Sequence, residues 1–102
     1  GKRVVEVQLM GGNNQTKARY EVDDNEKVDN IVRRYLQEHD PSLLNSQYGY
    51  QIAAIEPNGT QATIDSNTTV RDLIKEHGTD TIQVTPKAIY ATDIIQVGPG
   101  TG

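Results

Sequence analysis

The sequence predicts an α+β domain in which predicted strands at both ends of the chain flank one amphipathic helix. Three patterns indicate this class: two alternating segments near the N-terminus, a helical stripe over residues 28–36, and a second pair of short apolar segments followed by a closing strand. Alternation with a period of two is typical of half-buried strands, whereas apolar residues three and four positions apart are typical of a helix.

The first hairpin is predicted over residues 3–10 and 18–22. Both segments place apolar side chains at every second position, namely Val5, Val7, Leu9, Ala18, Tyr20 and Val22. The residues between them begin with Gly11 and Gly12, which accept positive φ at low cost and favour a loop. This glycine pair is not a phosphate loop, because no Lys-Ser/Thr pair follows it and the next predicted element is a strand.

The helix is predicted to start near Asp23, which is followed three residues later by Glu26 in the form of a capping box. One stripe then carries the apolar side chains Val28, Ile31, Val32, Tyr35 and Leu36. The helix should end before Pro41, since the residue that precedes a proline avoids the α region. We expect this stripe to form one side of the core.

The second half of the chain predicts two short strands over residues 50–55 and 61–64, joined by a turn with Pro57 and Gly59. Thr69 and Asp72 have the spacing of a second helix cap, and Gly78 is a helix stop. A closing strand is predicted over residues 81–84.

The composition excludes or disfavours several classes of function. A chain of 102 residues with 34% apolar residues forms one domain with a modest core. The net charge of −4 disfavours a nucleic-acid partner. The absence of cysteine excludes disulfides, thiolate metal sites and a cysteine nucleophile. No signal peptide and no apolar stretch long enough to span a bilayer occurs in the sequence, so we expect no membrane partner.

Residues 67–74, a capped short helix, followed by the strand at residues 80–84, resemble the corresponding stretch of ubiquitin-like β-grasp proteins. The resemblance covers about residues 3–86. It implies a mixed four- to five-stranded sheet packed on one amphipathic helix, with the last strand between the first and third and parallel to the first. It further implies a domain over residues 1–86 and an extended C-terminal tail over residues 87–102.

Two features depart from ubiquitin itself. The outward positions of the third and last strands are Gln51, Ala53, Gln83 and Thr85, so we expect the apolar binding face of ubiquitin to be absent or reduced. The chain also continues beyond Pro86 and ends in Gly-Pro-Gly-Thr-Gly rather than in a Gly-Gly terminus soon after the last strand.

The resemblance implies a small protein modifier that is not itself an enzyme and needs no cofactor of its own. Gly102 would be the conjugated residue, adenylated by a separate activating enzyme and passed to a conjugating enzyme in the cytoplasm. The chain is most similar in this respect to bacterial ubiquitin-like proteins encoded beside their own enzymes. One alternative is that a processing peptidase trims the tail, which would make Gly98 or Gly100 the acylating residue.

The tail is predicted to bind a partner, because an apolar stretch precedes a terminal segment that has no bulky side chains. The residues concerned are Ile94, Ile95, Val97, Gly98 and Gly100. A partner could capture such a segment by strand addition; an additional strand packed on the domain remains open. The alternative function is a non-covalent ubiquitin-like adaptor or accessory subunit, of the kind found in secretion systems or oxygenase complexes.

Other polar residues predict no catalytic or metal site. His39 and His77 lie near predicted helix ends, where the helix dipole favours an imidazolium, and no nucleophile or carboxylate with motif spacing accompanies them. The acids Asp23, Asp24 and Glu26 lack the spacing of a calcium loop. Arg33 and Arg34 are expected on the solvated face of the helix. The sequence does not single out any lysine as a modification site.

Overall fold

The computed structural model describes residues 1–10, 17–47 and 49–87. Eight elements follow one another there: β1 (Lys2–Leu9), β2 (Lys17–Asp23), α1 (Val28–His39), α2 (Pro41–Leu44), β3 (Tyr50–Ile55), β4 (Gln61–Ile64), α3 (Val70–His77) and β5 (Thr81–Pro86). The predicted strands and helices are therefore confirmed, and their boundaries differ by one or two residues, except at the start of α1. In this part of the chain, no helix is long and apolar enough to cross a bilayer.

The five described strands form one mixed sheet in the order β2-β1-β5-β3-β4. β5 lies between β1 and β3, parallel to β1 and antiparallel to β3. The α+β class with a five-stranded mixed sheet is thus confirmed, and so is the expected place of the last strand.

One hydrophobic cluster joins the inward side chains of the sheet to the stripe of α1. All five stripe residues predicted from the sequence are buried, as are the alternating Val5, Val7 and Leu9 of β1. Val70 and Leu73 of α3 complete the cluster together with Ile82 and Val84 of β5. The alternating pattern in the sequence matches the buried residues, because alternate positions of a strand face the same side of the sheet.

The predicted capping box at Asp23 and Glu26 is wrong. Asp23 ends β2, and its Oδ1 accepts from the Asn25 N–H at 3.2 Å. α1 begins at Val28 without a side-chain cap. The Val28 N–H donates instead to the carbonyl of Thr68 at 2.8 Å, so a residue distant in sequence satisfies the first N–H of the helix.

The cap of α3 is confirmed. The Asp72 N–H donates to Thr69 Oγ1 at 3.1 Å, and the Thr69 N–H donates to Asp72 Oδ2 at 3.5 Å. Gly78 ends this helix with φ +63°, a left-handed conformation that glycine adopts without steric penalty. The end of α3 is therefore fixed by the sequence, and this end sets where β5 can begin.

Candidate binding groove beside the first strand

β1 extends beyond its neighbour β5 at the N-terminal end. The pairing between them starts at Glu6 and Thr81 and continues to Leu9 and Val84. The Glu6 N–H donates to the carbonyl of Asp80 at 3.0 Å, the first contact of this ladder. Residues 2–5 of β1 therefore pair with β2 alone.

The backbone of Lys2 and Val4 faces the side that β5 leaves open. In a strand, the N–H and C=O groups of alternate residues point the same way, so those of Lys2 and Val4 point like those of Glu6. No backbone hydrogen bond to another described residue satisfies them. Unpaired edge groups of this kind are a template for another strand.

An open groove of about 560 Å³ lies along this free edge. It is lined by Lys2, Arg3, Val4, Pro57, Ile74, Gly78, Thr79 and Asp80. β1 forms one wall, and the end of α3 and the β3–β4 turn contribute the rest. The groove is thus the place in the sheet that a longer β5 would have occupied.

Apolar side chains stand on the walls of the groove. Val4 is 52% exposed, the highest exposure of any large hydrophobic residue in the described ranges. Ile74 is half-buried against the core, and Pro57 is exposed. Because proline has no N–H, the Pro57 side offers no donor there, and the β1 edge carries the hydrogen-bonding groups.

Charge is distributed unevenly along the groove. Lys2 and Arg3 are exposed at the outer end, and neither forms an ion pair with another described residue. Asp80 lies at the inner end, where β5 begins. The groove therefore has a cationic outer end, although the whole chain carries a net charge of −4.

A hydrogen-bonded pair that sequence reasoning missed ties two walls of the groove together. His77 Nδ1 lies 2.8 Å from Glu56 Oε2, and both side chains are partly buried. Glu56 precedes Pro57, and His77 precedes Gly78, so the pair joins the β3–β4 turn to the end of α3. The two residues are 21 positions apart, and no local pattern could have predicted the contact.

Two tyrosines fasten the sheet to α1 away from the groove. The Tyr20 hydroxyl donates to Glu38 Oε1 at 2.6 Å, and the Tyr50 hydroxyl donates to Asp29 Oδ1 at 2.8 Å. Burial raises the pKa of Tyr50 to about 12, and the Asp29 hydrogen bond adds to the effect. Burial and the Glu38 contact likewise raise the pKa of Tyr20. Both phenols are neutral structural donors at pH 7.

The two arginines of α1, which the sequence predicts as solvated charges, interact with tyrosines of the sheet. The Arg34 guanidinium lies 5.7 Å from the centre of the Tyr20 ring, within cation–π range. Arg33 acts on the Tyr50 hydroxyl and lowers its pKa against the larger effect of burial. These contacts are structural, so this face of α1 is a weaker candidate site than the groove.

The open face of the sheet is polar, as the outward residues predicted. The Gln51 amide donates to Thr63 Oγ1 at 3.2 Å. Gln83 is buried to 6% exposure on this face, which the sequence did not predict, and its amide donates to Gln61 Oε1 at 3.3 Å. Neighbouring polar side chains cover this central position and occupy its hydrogen-bonding groups.

The residues predicted as the site lie outside the described residues. They are Ile94, Ile95, Val97, Gly98, Gly100 and Gly102. Gly11 and Gly12 also fall outside. His39 lies in the described part, exposed at the end of α1 with its ring centre 4.7 Å from that of Tyr35. The described residues include no cluster of three or more His, Asp or Glu side chains that could hold a metal ion.

Comparison with known proteins gives structural neighbours alone. No protein-family model matches the chain, and no curated protein sequence does. A superantigen-like protein from Staphylococcus aureus, solved in complex with sialyl-Lewis X, matches 85% of this chain and 52% of its own, with 11% identity and a TM-score of 0.47. A second superantigen-like protein from that organism matches the same shares, with 12% identity and a TM-score of 0.48.

An exotoxin 6 from Staphylococcus aureus matches 85% of this chain and 50% of its own, with 16% identity and a TM-score of 0.44. This chain thus spans about half the length of the solved proteins that it matches. At these scores, the likeness transfers no activity, ligand or location to it.

These neighbours correct the resemblance to ubiquitin-like modifiers, since they are superantigen-like proteins and an exotoxin instead. The prediction of a modifier conjugated at Gly102 is wrong, and the adaptor alternative gains no support. The predicted activating and conjugating enzymes, the processing peptidase and the cytoplasmic location are withdrawn on the same finding. The error arose because an order of strands and helices is shared by proteins of unrelated function.

Proposed function

We propose that this domain binds an extended segment of a partner protein as an added strand in the groove beside residues 2–4. The observation that carries the proposal is the free edge of β1, where the backbone groups of Lys2 and Val4 face an apolar-walled groove. In strand addition, main-chain hydrogen bonds supply affinity and neighbouring pockets supply specificity.

The expected affinity is modest. Lys2 and Val4 together offer two N–H and two C=O groups, and each new hydrogen bond contributes about 0.5–1.5 kcal/mol net. Burial of the exposed Val4 side chain adds to this, whereas ordering of the incoming segment opposes it. We expect dissociation constants of about 10 µM to 1 mM for short peptides.

We also propose that the domain is not an enzyme. The groove presents two cations, one carboxylate and one hydroxyl, without an imidazole among its lining residues. The Thr79 hydroxyl already accepts from the Thr81 N–H at 3.1 Å. A surface that binds through backbone hydrogen bonds needs no reactive side chain, and this agrees with the groups that line the groove.

A β-grasp arrangement is the finer fold that we propose. Its support is the order β2-β1-β5-β3-β4 with β1 and β5 parallel at the centre, together with the buried stripe of α1. The division into a domain over residues 1–86 and a C-terminal extension over residues 87–102 belongs to the same proposal.

The test uses proline at position 4. Val4→Pro removes the N–H that faces the groove but leaves the bonds to β2, because those come from Arg3 and Val5. Peptides selected from a random library against the full chain should shift the amide resonances of residues 2–4 and 78–80. Val4→Pro should then weaken binding about 5-fold relative to Val4→Ala, which keeps the N–H.

Two results would overturn the proposal. One is a set of selected peptides whose resonance shifts fall on α1 or β2 and spare the groove. The other is equal affinity of the Val4→Pro and Val4→Ala variants, with both variants folded by circular dichroism.

A further inference from the structure

We propose that the segment taken up by the groove is acidic, with two consecutive Asp or Glu residues followed by an apolar residue on the side of Asp80. This inference rests on the proposed function, because it assigns the ligand of the same groove. It follows from the alternation of side chains along β1, from the free cations at its start and from the carboxylate at the inner end.

Consecutive strand residues place their side chains on opposite faces of a sheet. Arg3 therefore lies on the face of the buried Val5, and Lys2 on the face of Val4. An added strand beside β1 alternates in the same way. Two consecutive acids in that strand would meet Lys2 on one face and Arg3 on the other.

Both cations are available for such contacts. They are exposed, and neither pairs with an acid among the described residues. Asp23 lies opposite Lys2 on β2, but its Oδ1 accepts from the Asn25 N–H. Arg3 lies opposite Val22, which carries no charge.

The inner end of the groove selects against a third acid. Asp80 is exposed there, and a carboxylate beside it would meet a like charge. Val4, Pro57 and Ile74 supply apolar walls over the same stretch. An apolar residue next to the two acids therefore fits the inner part of the groove.

The same charges argue against a second copy of the chain as the occupant. An added β1 from another copy would place Lys2 beside Lys2 and Arg3 beside Arg3 in a parallel pairing, or Arg3 opposite Arg3 in an antiparallel pairing centred on residue 3. Like charges placed directly opposite each other in a sheet are destabilising. The occupant that the groove fits is thus a different, acidic segment.

The experiment compares three eight-residue peptides that alternate Thr and Val around a central pair, which is Glu-Glu, Gln-Gln or Lys-Lys. Binding to the full chain is measured by fluorescence anisotropy, and the site is located from amide resonances. We expect the Glu-Glu peptide to bind about 2–5-fold more tightly per cation engaged than the Gln-Gln peptide. Its advantage should shrink as the salt concentration rises.

Charge reversal separates recognition from a structural effect. Arg3→Glu should weaken binding of the Glu-Glu peptide and strengthen binding of the Lys-Lys peptide, so that the difference in affinity between the two narrows. Lys17→Glu is the matched control, since Lys17 is an equally exposed cation on β2 outside the groove. It should leave the difference in affinity between the peptides unchanged.

The outcomes separate the two proposals. If the Gln-Gln peptide binds in the groove as tightly as the Glu-Glu peptide, or the Lys-Lys peptide binds best, the acidic preference is wrong and strand addition stands. If each peptide leaves the resonances of residues 2–4 and 78–80 unshifted while the selected library peptides shift them, the acidic preference is again wrong. If no peptide of either source shifts them, strand addition itself is wrong.

Discussion

The two halves of β1 differ in the number of strands that lie beside them. From Glu6 to Gln8, the strand lies between β2 and β5 and pairs with both. From Lys2 to Val5, it has β2 alone. The length of backbone edge left open on β1 therefore depends on where β5 begins.

The beginning of β5 is in turn set by α3. Gly78 ends that helix in a left-handed conformation, and two residues later the Asp80 carbonyl meets the Glu6 N–H. The chain therefore joins the sheet four residues along β1. Both the glycine and the helix that precedes it determine how long the groove is.

The largest difference is expected between Val7→Ala and Val4→Ala, the same substitution in the two halves. Val7 is fully buried, so its truncation should cost about 1.5–3 kcal/mol of unfolding free energy. Val4 is exposed, and its truncation should cost less than about 0.5 kcal/mol. Urea denaturation measures both, and equal losses would contradict the comparison.

Proline substitution breaks the backbone pairing directly. Glu6→Pro removes a donor to Asp80 and should cost about 1–3 kcal/mol, whereas Val4→Pro removes a donor without a described partner and should cost less than about 1 kcal/mol. Glu6→Gln controls for the lost ion pair with Arg19. Thermal unfolding provides the values; a larger loss for Val4→Pro would mean that its N–H is already used.

Gly78 tests how the end of α3 positions β5. Gly78→Ala should cost about 1–2 kcal/mol through left-handed strain alone, because an added Cβ meets nothing within 4 Å. Gly78→Asn is the matched variant, since asparagine tolerates this conformation better and should lose less stability. If both variants are as stable as the native chain, the glycine does not set the start of β5.

The smallest effect concerns Asp24, which holds the start of β1 and the end of β2 to α3. Desolvation raises the pKa of its carboxyl, but nearby positive charge, chiefly that of Arg71, outweighs this and holds the pKa below its usual range. The lowered pKa means that the contact stabilises the fold fully above the usual pKa of an aspartate, and that this stabilisation is lost as the pH falls through the folded-state pKa.

Arg71→Met should therefore lower the melting temperature slightly at neutral pH, because Arg71 Nη2 lies 3.1 Å from Asp24 Oδ1. The difference from the native chain should shrink in acid. A difference that stays constant through the titration of Asp24 would show that the contribution of Arg71 is not electrostatic.

Local patterns predicted most of the fold. The alternation at Val5, Val7 and Leu9 located β1, and Thr69 with Asp72 located the start of α3, because each signal lies within one element. The predicted start of α1 was wrong because the Val28 N–H donates to the carbonyl of Thr68, which is 40 positions away. The predicted resemblance to ubiquitin-like modifiers was wrong because the order of strands and helices alone does not identify a family.

The groove itself could not be predicted from local patterns. Val4 reads as an ordinary outward residue until the register shows that β5 begins opposite Glu6. Register and the pairing of His77 with Glu56 are long-range properties that no short segment encodes. Lys2 and Arg3 are adjacent cations in the sequence, but no local pattern assigns them to a binding site.

Hydrogen exchange at the amides of Val4 and Glu6 tests whether the first half of β1 receives a strand. In the free chain, we predict fast exchange at Val4 and slow exchange at Glu6. Saturation with the tightest-binding peptide should slow exchange at Val4 and leave Glu6 unchanged. A Val4 amide that is already as protected as that of Glu6, or one that a bound peptide leaves unprotected, would contradict the account.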